Sequence, residues 1–265
     1  MKINIVYNKN ITGFSDVLSE VETVLINKKV EFKSYELDSM GNFGEFSLVI
    51  GGDGTLLRAA RFYSEWQIPV LGINIGRLGF LSQQASIAEV IDKIIDGNYY
   101  TEERLMLSSI DKLALNDFVI KGCDKSRTSK IFLEINGNEV CDYVADGLII
   151  STPTGSTAYG LSAGGPVLYP TIDVISIVPI CPHTLNARPL VVPSSEKITI
   201  KTGDKLLSVS IDGFETKDCV EKITIKSAPR KAVLAFLKEG RFYNVLRNKL
   251  HWGISPKASY YCQDF

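Results

Sequence analysis

The chain has 265 residues, 45% of them hydrophobic and 22% charged, a composition that argues against disorder and is ample for a buried core. At about 100–200 residues per domain, the length points to two domains of modest size. Lysine and arginine number 29 against 30 aspartates and glutamates, leaving no basic excess to condense on a phosphate backbone, which argues against a nucleic-acid partner.

The first hundred residues alternate strand and helix. Residues 1–7 read as a short strand with Ile3, Ile5 and Tyr7 on one face, without the basic start and apolar stretch of a signal peptide. Val17, Leu18, Val21, Val24 and Leu25 then recur at helical spacing between Asp16 and Lys29, which predicts a helix. Residues 30–37 read as a second strand, a glycine-rich turn follows at 40–44, and 46–50 is the continuous apolar run of a buried parallel strand. Next come Gly51-Gly52-Asp53-Gly54-Thr55, a helix through Leu56, Leu57, Ala60 and Tyr63, and a strand at 68–73. Ser86-Ile87-Ala88-Glu89 opens the next helix in the form of a capping box, hydroxyl and carboxylate satisfying orphan backbone donors. Ile87, Val90, Ile91, Ile94 and Ile95 supply its buried stripe. Such alternation predicts a doubly wound parallel α/β sheet over 1–97.

The period changes after Gly97. Segments 105–110, 113–120, 130–135, 139–144, 148–151, 198–201, 207–211 and 221–227 read as strands, and Asn136-Gly137 signals a type I′ hairpin. A mostly antiparallel β-sandwich over 98–234 is expected. The apolar run 174–181 is too short to span a bilayer, so no membrane partner is expected. Residues 242–250 have helical spacing at Val245, Leu246 and Leu250, and the C-terminal segment 235–265 is expected to pack back on the first domain. Cys123, Cys141, Cys181, Cys219 and Cys262 are odd in number and scattered. They fit neither a disulfide framework nor a zinc knuckle, and a reducing cytoplasm is expected.

Two stretches carry chemistry. The 51–55 loop lies between a buried strand and a helix, and three glycines let its N–H groups approach a ligand closely. At a helix N-terminus, beyond the carboxyl end of a strand, such donors make an anion site. No G-x-x-x-x-G-K-[ST] run is present, nor a G-x-G-x-x-G at the first βα turn, so neither a P-loop nor a dehydrogenase fold is implied. Asp53 would repel a phosphate unless it accepts a proton from an attacking hydroxyl or holds a metal ion; the plainer alternative is that it caps its own helix. The second stretch, 151–159, leaves a strand, turns at Pro153 and Gly155, and offers hydroxyls at Thr154, Ser156, Thr157 and Tyr159. It suits an adenine, or else it is a loop that bonds only its own backbone.

The Gly51–Thr55 run resembles the phosphate-donor loop shared by NAD kinases, diacylglycerol and sphingosine kinases and phosphofructokinases. Residues 146–159, from Asp146-Gly147 to Ala158-Tyr159, resemble the NAD-binding signature of the NAD kinase family. Gly76-Arg77-Leu78-Gly79-Phe80, Asn116-Asp117, Pro182-His183-Thr184-Leu185 with Arg188-Pro189, and Ser210-Ile211-Asp212-Gly213 resemble that family too, in order and at its spacing.

The resemblance implies phosphoryl transfer from ATP or polyphosphate to the adenosine 2′-hydroxyl of NAD, giving NADP, with Asp53 as general base. It assigns the donor phosphates to Gly51, Gly52, Gly54, Thr55 and Arg58 in the first domain. NAD is assigned to Asp53, Gly54, Phe80, Asn116, Asp117, Asp146, Thr154, Thr157, Ala158, Tyr159 and Ser162, between the domains. A divalent ion, Mg²⁺, is expected on the phosphates, with no protein ligand cluster legible. A homodimer or homotetramer is implied, because in the family the contact of the Asp146 position often crosses a subunit interface.

Alternatives stand beside these roles. Asn116-Asp117 could be a plain turn and Asp146-Gly147 a plain hairpin. Arg77 and Arg188 are phosphate candidates or solvated surface groups, and His183 reads as a structural histidine in a buried crossover. Two rival functions are a lipid kinase with the same donor loop and a nicotinamide-nucleotide sensor that binds without reacting.

Overall fold

The computed structural model describes residues 1–75, 79–83, 85–123, 128–183, 186–203, 206–238 and 240–251. Strands β1 (Lys2–Tyr7), β2 (Glu31–Glu36), β3 (Phe46–Ile50) and β4 (Val70–Ile73) alternate with helices α1 (Phe14–Asn27), α2 (Asp53–Tyr63) and α3 (Ile87–Ile95). The strands pair in parallel in the order β2-β1-β3-β4. Ile3, Ile5, Leu48, Ile50 and Leu71 face Val21 and Leu25 of α1 and Ile91 and Ile94 of α3. Val6, Val49 and Val70 face the other way, against Leu56, Leu57, Ala60 and Tyr63 of α2. Helices therefore cover both faces, which is why β3 is apolar at every position but one. Ser86 Oγ accepts from Glu89 N–H at 3.3 Å, while the Glu89 carboxylate takes the Lys93 ammonium at 2.8 Å, one turn onward.

The next strands are β5 (Tyr100–Arg104), β6 (Leu107–Ser109), β7 (Lys112–Ala114), β8 (Asp117–Gly122), β9 (Ser129–Ile135), β10 (Asn138–Ala145) and β11 (Gly147–Ser151). After a 3-10 turn (Thr154–Thr157) and the short α4 (Tyr159–Ser162) come β12 (Val174–Ile180), β13 (Leu190–Pro193), β14 (Ile198–Thr202), β15 (Leu207–Ile211), β16 (Glu215–Val220), β17 (Lys222–Ser227), β18 (Ala232–Phe236) and α5 (Arg241–Leu250). Two antiparallel sheets result, β10-β9-β14-β17-β6-β7 and β13-β12-β11-β8-β15-β16. Leu133, Ile198, Ile200 and Ile223 of one meet Phe118, Ile120, Ile150 and Ile177 of the other in a single core, which makes the second unit a β-sandwich.

Three expectations are corrected. The predicted strand 113–120 is two strands in different sheets, because the backbone N–H groups of Leu115, Asn116 and Asp117 donate to the Asp212 carboxylate while the chain crosses over. Asp146-Gly147 is no hairpin, since β10 and β11 lie in opposite sheets; Asn136 and Gly137, with φ of 51° and 83°, do form the expected tight turn. The supposed buried crossover around His183 is the exposed end of β12, where Cys181 and His183 both face solvent; Thr184 and Leu185 lie outside the described residues.

The domain boundaries expected at 97/98 and 234/235 also move. β18 pairs in parallel with β4 and antiparallel with β5, extending the first sheet to β2-β1-β3-β4-β18-β5. The sandwich is thus an insertion within that sheet, entered after Arg104 and left before Ala232. β5 alternates exposed and half-buried residues as an edge strand does, and its partner lies over a hundred residues away, beyond the reach of periodicity. α5 buries Val245 and Leu246. Among the described residues no helix is long and apolar enough to cross a membrane.

Candidate active site

The glycine loop begins where β3 ends. Gly51 N–H donates to Ile73 O at 3.0 Å, and a Cβ at Gly51 would fall 2.6 Å from Thr55 Oγ1, so only glycine lets the loop close over that hydroxyl. Gly52 is the N-cap of α2 and brings no side-chain cap. The first-turn N–H groups of α2 have no intrahelical acceptors, and with the positive end of the helix dipole they suit an anion. Arg58 pairs with Asp38 at 2.7 Å. It stands one turn beyond Gly54 and Thr55, on the same side of the helix.

Asp53 does not cap its helix. Its half-buried carboxylate crosses to the 79–82 loop, where Oδ2 accepts from Phe80 N–H at 2.6 Å. Oδ1 accepts from Leu81 N–H, Ser82 N–H and Ser82 Oγ, each at 3.1 Å. Gly79 makes this approach possible, since a Cβ there would lie 1.9 Å from Oδ1. On the far side of the same loop, Arg241 at the start of α5 donates to Phe80 O at 2.8 Å, Leu81 O at 3.2 Å and Gly79 O at 3.3 Å, and to Ser82 O.

The second centre is a cavity of about 890 Å³ in the sandwich, whose lining includes Asn116, Asp117, Lys121, Asp146, Ala158, Tyr159, Ser210 and Asp212. Asp212, at φ 48° in the turn after β15, organises its wall. Its carboxylate accepts from Leu115, Asn116 and Asp117 N–H at 3.0, 2.7 and 3.1 Å. It also pairs with Arg61 of α2 at 3.5 Å, tying the helix that begins at Asp53 to the cavity. The next residue but one, Phe214, leans on the donor loop, where a Cβ at Gly54 would meet its ring at 2.8 Å. Lys121 Nζ stands 5.7 Å from the centroid of the Tyr159 ring.

Of the four hydroxyls expected to face a ligand, those of Ser156 and Thr157 bond nearby backbone, Thr154 meets Arg104, and Tyr159 lines the large cavity. Thr152 Oγ1 donates to Leu115 O at 2.6 Å and accepts from Gly155 N–H at 3.1 Å. Ser156 Oγ donates to Pro153 O and accepts from Leu168 N–H, and Thr157 Oγ1 donates to Thr154 O. Thr154 Oγ1 takes a hydrogen bond from Arg104 at 3.2 Å. A Cβ at Gly155 would sit 2.3 Å from Asn116 O, so this turn lies directly on the Asn116-Asp117 corner. Thr154 and Thr157 line a second, narrow crevice of about 20 Å³ with Phe80 and Arg241, and through it the turn adjoins the 79–82 loop that holds the Asp53 carboxylate.

The residues proposed for NAD thus divide. Asn116, Asp117, Asp146, Ala158 and Tyr159 share the large cavity; Phe80, Thr154 and Thr157 share the crevice. Gly54 faces Phe214, Asp53 lies against the 79–82 loop, and Ser162 is exposed at the end of α4. Arg188 donates to Ala187 O at 2.7 Å, and Arg77 lies outside the described residues. No group of three or more potential metal ligands occurs among the described residues. Arg61 and Arg241 carried no sequence signal, because their partners lie far along the chain; Asp212 was visible only as part of a motif.

Burial, reinforced by the Asp212 charge, pushes the Asp117 carboxyl up to about 7 from an ordinary 3.8. Asp212 is likewise raised by burial, against the pull of Arg61 and its three N–H donors. Folding therefore takes up a proton at Asp117 between those values, and this contribution to stability is lost as pH rises through about 7. Replacing Asp117 with Asn is expected to flatten that part of the pH–stability curve, checked by urea midpoints at about pH 5 and pH 8.

Residues 5–99 match the model of the ATP-NAD kinase N-terminal domain, and residues 115–235 that of the ATP-NAD kinase C-terminal domain. The chain belongs to the NAD kinase family. An NAD kinase of Azoarcus sp. (strain BH72) is 39% identical over 249 residues, 88% of this chain and 84% of the relative. One from Geobacter sulfurreducens is 39% identical over 225 residues, 79% of each chain. Among solved structures, an NAD kinase from Archaeoglobus fulgidus in complex with ATP aligns at TM-score 0.79 and 27% identity, covering 95% of this chain and 99% of its own. Yeast NADH kinase complexed with NADH aligns at TM-score 0.85 and 24% identity over 97% and 89% of the two chains, a likeness of fold. As an NAD kinase, this chain is a phosphotransferase that phosphorylates NAD. The N-terminal match contains the donor loop, and the C-terminal match contains every residue of the large cavity.

Proposed function

We propose that this enzyme moves the terminal phosphoryl group of ATP to the adenosine 2′-hydroxyl of NAD, releasing ADP and NADP, with NAD held in the large cavity. The observation that carries the reading is the cavity itself, where an amide, carboxylates and an aromatic ring converge beside a helix that starts in the donor loop. Asn116 and Asp117 offer the paired acceptors that vicinal ribose hydroxyls need, and Tyr159 offers a flat face. Exposed Asp146 is proposed to reach the nicotinamide end, and in a homodimer or homotetramer that of a neighbouring subunit.

Asp53 is the proposed base. A carboxylate has about four lone-pair sites; among the described residues Oδ1 accepts three hydrogen bonds and Oδ2 one. Oδ2 therefore retains the capacity to take the proton of the attacking hydroxyl as its oxygen bonds to phosphorus and the ADP oxygen leaves. The Gly51-Gly52-Asp53-Gly54-Thr55 turn would hold donor phosphates through backbone N–H groups. The described residues offer no metal cage, so Mg²⁺ is proposed to be held by the donor phosphates and water, where it would offset their charge. Polyphosphate presents a similar anion to the loop and is a second candidate donor, and the cytoplasm, where both donors and NAD occur, is the proposed location.

A product assay with NAD or NADH, and ATP or polyphosphate, tests this. NADP from NAD and ATP is the expected product. NAD that binds without becoming phosphorylated would sink the transfer reading and leave a sensor.

A further inference from the structure

The 79–82 loop lies between two opposite charges. Its peptide groups run the same way. In the 79–80, 80–81 and 81–82 peptides, each N–H points to the Asp53 carboxylate and each carbonyl to the Arg241 guanidinium. Each peptide carries a dipole of about 3.5 D, here with its negative end at the cation and its positive end at the anion. Three such dipoles in parallel make a polarised bridge in which each hydrogen bond strengthens the next. Burial works against the charge of Arg241, and among the groups that favour it Asp53 acts most strongly, although no direct contact between the two is needed.

The same guanidinium lines the crevice with Thr154 and Thr157 and stands 5.5 Å from the Phe236 ring. Lys249, two turns further along α5, places its ammonium 4.7 Å from the ring centroid of Phe80. α5 thus holds the loop at both its backbone and its one aromatic side chain. Arg241 also lies beyond the stretch matched to the family's C-terminal model, which ends at residue 235.

We infer that Arg241 is a positioning residue for Asp53: its guanidinium fixes the carbonyls of the 79–82 loop so that the loop's N–H groups aim the Asp53 carboxylate at the acceptor hydroxyl. The inference rests on Asp53 as the base. Lysine cannot replace arginine here without loss, because one ammonium has no planar fork to span four carbonyls.

The test is a mutant cycle read as kcat and KM for NAD separately. Arg241→Gln is expected to lower kcat by about 10²-fold, as misplacement of a reacting group by roughly 1 Å does, with KM unchanged; Arg241→Lys should fall between Gln and the parent. In an Asp53→Asn background, Arg241→Gln should cost little more, because the group it positions no longer reacts. Unchanged kcat in Arg241→Gln, or the same fold loss with and without Asp53, overturns the inference. Should Arg241→Gln fail to fold, Arg241→Lys decides: reduced kcat at normal KM supports the inference and normal kcat overturns it. Near-normal kcat in Asp53→Asn alone instead removes the base assignment, a result distinct from any at Arg241.

Discussion

Replacing Asp53 with Asn is expected to lower kcat by about 10²–10⁴-fold, the usual contribution of a positioned general base, while NAD binding stays nearly intact. The amide keeps the size of the carboxylate and one oxygen acceptor, but it cannot take a proton. It also brings an NH₂ group to a place where Phe80, Leu81 and Ser82 already present donors, so one of these must lose its acceptor whichever way the amide turns. The NAD cavity is walled by other residues, and its affinity should therefore survive. Steady-state kinetics beside calorimetric NAD binding separate the two effects, and near-normal turnover rejects the base assignment.

The largest expected loss of stability is at Asp212. Asp212→Ala removes a buried carboxylate that accepts three backbone N–H groups and pairs with Arg61, leaving those donors and a mostly buried guanidinium without it. Breaking a buried charge pair from one side costs about 3–5 kcal/mol, a large share of the roughly 5–15 kcal/mol that holds a domain folded. Alanine is also poorly suited to the left-handed backbone at φ 48°. Urea unfolding should show a midpoint well below the parent's, accompanied by weakened NAD binding. A variant as stable as the parent would mean that the Leu115–Asp117 corner is held by something other than this carboxylate.

How far the sequence reaches depends on the range of each interaction. The first four strands and three helices were legible because each records its burial locally, period by period, and the glycine loop because three glycines at a strand–helix junction are a local steric demand. β12 was seen as an apolar run but not named as a strand. The break between β7 and β8 was marked in the sequence only by Asn116-Asp117, read as a possible turn; what ends the ladder is Asp212, about a hundred residues later. Hydroxyls at 152–157 could be counted, but whether they face a ligand or their own backbone depends on Leu115 and Leu168. Arg241 was invisible for the same reason, its partners lying some 160 residues earlier.

The insertion of the sandwich between β5 and β18 has a consequence during synthesis. The inner edge of β4, with Val70 paired to Leu234 in the finished sheet, emerges from the ribosome long before its partner strand exists. At about 5–20 residues per second, the intervening stretch of roughly 160 residues leaves that apolar edge waiting on the order of 10–30 s. A nascent chain in this state presents an open template for strand pairing with its neighbours, so the first half of the molecule stays exposed to mispairing until its last strand has been translated.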